Sequence, residues 1–240
     1  QHLGKVYYWL GLFPDALACY GKVIQLNPMV ASSHAEMGMT YWATGDWRNA
    51  YLAYKQAAAL APENLDYISK CDNAKSIMEL EKGVTDIGRK DNPGLHADIR
   101  RKLADMFMQE GKKWNENLHE FPSKRLIACT LYRNAIAVLR EICATQDDWR
   151  QLGEAYLAVA AMEGITDDLE KAVEAFEKVS IIENPQTIDI EHCMALGRHL
   201  NMNSRDHEIH FYNLLLKFIK DNPMECKDMG TALMEEKRYE

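Results

Sequence analysis

The sequence predicts an all-α chain built as a solenoid of antiparallel helix pairs. Three observations predict it. A spacing of 34 residues is written twice: Gly4, Tyr7, Gly11, Ala16, Tyr20, Leu26 and Pro28 recur as Gly38, Tyr41, Gly45, Ala50, Tyr54, Leu60 and Pro62. Apolar residues recur at helical spacings of three and four along the chain. No alternating apolar run bounded by Asn-Gly or Asp-Gly competes as a strand.

The repeated residue types suit two helices lying against each other. Small Gly38 and Ala50 fit where the helices approach closely, and Tyr41, Tyr54 and Met37 fill the space around them. Gly45 stands at the break between the helices, where a left-handed conformation is cheap. Pro62 ends the unit, because proline cannot continue a helix. The pattern Leu3-Gly4-x-x-Tyr7 with Ala16-x-x-x-Tyr20 and Pro28, then Met37-Gly38-x-x-Tyr41 with Ala50-x-x-x-Tyr54 and Pro62, resembles the tetratricopeptide repeat (TPR) family. That resemblance implies helix pairs wound into a right-handed superhelix, here expected as two sub-arrays.

Residues 1–64 are read as two regular units. Residues 65–94 are read as a capping or linker helix and a joint: Leu65, Ile68, Cys71, Ile77, Met78, Val84 and Ile87 keep helical spacing, and turn formers follow from Gly88 to Gly94. Residues 95–240 are read as degenerate units. Leu103-Ala104-x-x-Phe107 followed by Gly111 is a first helix, and Ala128-x-x-x-Tyr132 with Ala135 is its partner. Gly111 to Ala128 spans 17 residues where Gly45 to Ala50 spans 5, so an insertion of twelve is expected near 112–124. Trp149-x-x-Leu152-Gly153-x-x-Tyr156 pairs with Ala172-x-x-x-Phe176 and Pro185, with seven extra residues near 163–169. Seven residues are two helical turns, which lengthen helices without forming a loop. Leu196-Gly197-x-x-Leu200 opens a weaker unit, and Met229-Gly230-x-x-Leu233 a truncated one. Both ends read as lying inside repeats, so the expectation is a fragment of a larger subunit.

The formal charge of −8 is unevenly placed, since residues 1–90 hold nine basic and nine acidic residues. Residues 147–191 hold twelve Asp or Glu against Arg150, Lys171 and Lys178. Such a surface repels phosphate backbones, so no direct nucleic-acid partner is expected. No run of 18 apolar residues indicates a membrane span. Six cysteines without a Cys-x-x-Cys pair suit free thiols in a reducing compartment, so an intracellular location, cytoplasmic or nuclear, is expected.

Motifs for chemistry are missing. There is no phosphate-cradling Gly-rich loop, Gly-x-Ser-x-Gly elbow, His-Glu-x-x-His motif or calcium loop. His192, Cys193, His199, His207 and His210 come nearest to a metal cluster, and packing or surface roles account for them better. Asp147-Asp148 and Asp167-Asp168 read as acids at helix starts, favoured by the backbone dipole. No enzymatic activity, cofactor or metal is expected.

The resemblance implies that partners lie in a groove lined by the first helix of each pair. Residues following the core Tyr (Tyr8, Trp42, Met108, Leu157, Asn201) and the core Gly or Ala (Lys5, Met39, Asp105, Glu154, Arg198) then face it, as do Gln1, Ala35, Arg101, Arg150 and Met194 four positions earlier. Trp9 adjoins Tyr8. The early units offer aromatic and Met contacts, and the later ones alternate charges. Trp114 and Phe121 in the insertion form a second candidate surface. Family members that grip acidic heat-shock chaperone tails use Lys and Asn clamps. Ala35, Glu36 and Met39 stand at those places here and only Lys5 fits, so such a tail is not the expected partner. The function expected is a non-catalytic scaffold holding other subunits or peptide segments in a multi-protein assembly. The alternatives are a co-chaperone or cargo adaptor, or a regulatory domain of a larger enzyme.

Overall fold

The structure, a computed structural model, describes residues 1–87, 92–115, 121–163 and 166–182. The described residues form nine α-helices and no strand. The chain divides into two compact units, Gln1–Val138 and Leu139–Glu240. Most of the expected joint at 88–94, the unit opened by Leu196 and the chain end lie outside the described residues.

The first unit begins with two helix pairs, α1 (His2–Trp9) with α2 (Phe13–Leu26) and α3 (Ala31–Ala43) with α4 (Trp47–Leu60). Each helix packs on the next one in sequence. The breaks within the pairs are built alike. Gly11 and Gly45 adopt φ +79° and +76°, the left-handed region that favours glycine. Around them Leu12 N–H donates to Tyr7 O and Gly11 N–H to Tyr8 O, both at 2.9 Å. Asp46 N–H to Tyr41 O and Gly45 N–H to Trp42 O repeat the arrangement at 2.9 and 3.0 Å. These are Schellman closures, which satisfy the last carbonyls of α1 and α3. Asp46 then caps α4 by accepting from Asn49 N–H at 3.1 Å.

Inside each pair a glycine meets a ring. A Cβ at Gly4 would stand 2.6 Å from Tyr20 Cε1, and one at Gly38 would stand 2.9 Å from Tyr54 Cδ1. Ala16 and Ala50 are fully buried beside them. The bare glycine surface lets the second helix seat its aromatic ring against the first helix's backbone. Burial of the apolar part of such a ring stabilises by about 1.5–3 kcal/mol, which the unpartnered Tyr20 hydroxyl partly offsets.

Helix α5 (Leu65–Asp86) starts at the Asn64 cap and packs on α4 and on the helix that follows it. Helices α6 (Pro93–Asn115) and α7 (Pro122–Leu139) follow. Here the structure differs from the sequence reading in register. Gly111 lies within α6, not at a break, and a Cβ on it would stand 3.1 Å from Tyr132 Cζ. Gly111 therefore has the place of Gly4 and Gly38, which the sequence pattern assigns to Ala104. Buried Ala104 and Phe107 pack in the core instead, where Phe107 meets Trp47 with ring centroids 5.4 Å apart.

In the second unit α8 (Gln146–Glu163) packs on α9 (Thr166–Ile182). A Cβ at Gly153 would stand 2.7 Å from Phe176 Cε1, the same relation again. Asp148 accepts from Thr145 N–H at 3.0 Å, and Thr145 Oγ1 accepts from Asp148 N–H at 3.2 Å. This reciprocal cap fixes the start of α8. Asp147 and Asp148, and Asp167 and Asp168, stand in first helical turns, as read from the sequence.

Candidate partner-binding surface

Across α1 and α3, Lys5 Nζ lies 3.0 Å from Glu36 Oε1. Gln1 Nε2 donates to the same oxygen at 3.0 Å and to Ser32 Oγ at 2.8 Å. Lys5 is exposed and Glu36 is buried, so a half-solvated cation is held by a nearly desolvated carboxylate. Glu36 Oε2 and the hydroxyls of Tyr8 and Tyr20 are buried without hydrogen-bond partners. Burial is the main cause that holds both phenols above their usual range. For Tyr8 the neighbouring Tyr20 adds to it, and for Tyr20 the negative charge of Glu36 does.

The residues expected in the groove divide by exposure. Tyr8, Ala35 and Trp42 are buried, as are Met108 and Leu157. Trp42 meets Trp47 edge-on with centroids 5.0 Å apart, so its ring is committed to the interior. Trp9, Met39, Arg101, Asp105, Arg150 and Glu154 are half-buried. Arg101 pairs with Asp98 at 3.1 Å, and Arg150 with Asp147 at 2.9 Å, each on its own helix. Met194, Arg198 and Asn201 lie outside the described residues. With Gly111 as the core glycine, the residue after it on α6 is exposed Lys112, the counterpart of Lys5 and Met39.

The two candidate surfaces meet at one point. Phe121 stacks on Trp9 with ring centroids 4.3 Å apart and planes inclined by 29°. Leu126 Cδ2 lies 3.6 Å from where a Cβ of Gly11 would stand. Trp114 is half-buried and Phe121 exposed. The sequence pattern does not single out Leu10, Leu12 or Leu126, which are 54%, 45% and 47% exposed. Their signal is weak in the sequence, because only the return of α7 onto the α1–α2 turn gathers them.

Among the described residues, no group of three or more His, Cys, Asp or Glu side chains could hold a metal ion. The His192–His210 set lies outside them. No described helix is long and apolar enough to cross a membrane.

Helix pairs locked by a ring on a glycine define a helical-hairpin repeat architecture. Residues 31–64 match the family model described as tetratricopeptide repeat. The α3–α4 pair is thus similar to a tetratricopeptide repeat unit. Among solved structures the chain is similar to a thermophilic TPR protein of Thermus thermophilus, with 17% identity and a TM-score of 0.34. That likeness covers 83% of this chain and 96% of the other. No curated protein matches the chain.

Proposed function

We propose that this chain is a non-catalytic scaffold that holds other protein subunits or peptide segments within a larger assembly. TPR repeats generally mediate protein–protein interaction. The observation that carries the proposal is the side-by-side placement of α1 and α3 bridged by Lys5–Glu36, with half-buried Met39 one turn along α3. The first helices thus present a mixed polar and apolar strip while the core positions behind it stay filled. Lys112 holds the same class of position on α6.

The Lys5–Glu36 pair also selects a kind of partner. A carboxylate competing for Lys5 would strand a buried Glu36, and leaving a buried charge unpaired is costly. The strip therefore suits a segment that is apolar or basic, not an acidic tail. The test is capture and identification of partners by the full-length protein, with Met39→Ser and Met39→Lys variants in parallel. Reduced capture with retained helicity supports the reading. Unchanged capture by both folded variants overturns the groove as the site.

A further inference from the structure

An exposed apolar surface lies where α7 returns onto the α1–α2 turn. Leu10 and Leu12 flank Gly11 there, Leu126 reaches the Gly11 backbone, and Phe121 caps Trp9. Large apolar side chains gathered on a surface mark an interaction site more often than scattered ones do. The opposite side of α7 is firmly held: Ile127, Leu131, Ala135 and Ile136 are buried. The surface is thus carried on an anchored helix.

Its charge is opposite to that of the chain. The protein has a formal net charge of −8, yet α7 contains Lys124, Arg125 and Arg133 and no Asp or Glu. Arg125 and Arg133 are exposed, and Arg125 is next to Leu126. A basic rim beside leucines and an aromatic ring complements a segment that carries aliphatic residues and carboxylates together. We propose that Leu10, Leu12, Phe121, Arg125 and Leu126 form a docking surface for an acidic amphipathic segment of a partner protein. This site is separate from the Lys5–Glu36 strip, which disfavours acids, and the two together would sort two segments by charge. The proposal deepens the scaffold reading and rests on it. An anionic membrane shares part of this chemistry and is an outcome of the test below.

The test uses the full chain and a fluorescently labelled amphipathic helical peptide with Leu and Phe on one face and Glu on the other. Saturable binding is expected, with the same peptide carrying Lys in place of Glu failing to bind. Arg125→Glu and Leu126→Ser should each weaken binding by about tenfold while leaving the helical circular dichroism unchanged. Equal binding of both peptides, no binding, or indifference to both substitutions overturns the proposal. So does flotation with vesicles of mixed phosphatidylserine and phosphatidylcholine in place of peptide binding. Self-association in sedimentation that Leu126→Ser abolishes also overturns it, since the occupant would then be a second copy. Failure here with partner capture intact removes this surface alone, whereas failure of both removes the scaffold reading.

Discussion

The ring of Tyr132 on α7 lies over Gly111 on α6, as Tyr54 on α4 lies over Gly38 on α3. This relation sets the repeat register. Measured from the glycine under the ring to the first alanine of the second helix, the spacing is 12 residues from Gly38 to Ala50 and 17 from Gly111 to Ala128. The α6–α7 pair is then longer than the regular pair by five residues in this stretch, not by the twelve that the Gly45-type alignment gives. The seven-residue difference is two helical turns, so both alignments put an apolar face in the same direction. Periodicity alone could not choose between them.

Glycine-to-alanine substitutions should rank by the space under each ring. At Gly4, Gly38 and Gly153 a Cβ would stand 2.6 to 2.9 Å from a ring carbon, so the ring must move within a filled core. The expected cost is about 1–3 kcal/mol, reduced by alanine's better helix propensity of about 1 kcal/mol. Gly111→Ala, with 3.1 Å available, should cost less. Gly21 in α2 has nothing nearer than Met37 Cε at 3.8 Å, so Gly21→Ala should be neutral or stabilising. Urea unfolding of the series checks the order. Pairing Gly38→Ala with Tyr54→Leu should recover part of the loss if the ring contact is the cause.

Asp46→Ala should destabilise by about 1 kcal/mol, because the N-cap side chain satisfies an otherwise open donor. Asp46→Asn keeps one side-chain oxygen for Asn49 N–H but gives up the acceptor that Asn49 Nδ2 uses at 2.7 Å, so it should cost less than Asp46→Ala without being neutral. Thermal melts of the two variants would separate loss of the cap from loss of the charge. Equal losses would show that the carboxylate charge, and not the hydrogen bond, carries the effect.

The fold was legible because its determinants are local. Gly11 and Gly45 end helices, Asp46 and Asn64 start them, and the Gly-to-ring spacing recurs in sequence. The candidate surfaces were legible only in part. Trp42 and Tyr8 follow the rule for groove-facing positions, yet their rings turn inward to Trp47 and to Phe13. Aromatic size favours burial wherever a neighbouring helix leaves room, and that room depends on tertiary packing. Lys5–Glu36 spans 31 residues and Trp9–Phe121 spans 112, and no spacing rule announces either.

Stability should fall on the alkaline side. Burial, with Asp148 nearby, pushes the Cys143 thiol from 9.0 to about 11. Burial also raises the Tyr8, Tyr20 and Tyr54 phenols above 10.0. In each case the unfolded chain loses its proton first. The contribution is therefore complete below the unfolded value and is lost as pH rises through the folded one. The melting temperature should hold from neutral pH to about 9, decline as Cys143 titrates, and drop more steeply above 10 as the tyrosines follow. Cys143→Ala should lessen the first part of the decline, to which the Cys71 thiol, also raised by burial, adds, and Tyr8→Phe should lessen the second. A melting temperature that does not fall above pH 10 would contradict this account.

Substitutions at the expected groove positions should separate into two kinds. Trp42 is 6% exposed and locked against Trp47, which in turn meets Phe107, so Trp42→Ala should cost about 3–5 kcal/mol and lower partner binding through unfolding. Lys5 is half-solvated and Glu36 is buried, so their pairing should exceed the ~0.2–1 kcal/mol of a fully exposed pair and should fall as salt rises. A double-mutant cycle with Lys5→Met and Glu36→Gln measures that coupling directly. The consequence for binding is opposite in kind. Glu36→Gln removes the charge that holds Lys5, so the free ammonium should strengthen binding of an acidic peptide to the folded protein. Fluorescence titration with an acidic C-terminal peptide at low and high salt reads this out. Equal affinity in the wild type and in Glu36→Gln would mean that the pair does not set the charge preference of the strip.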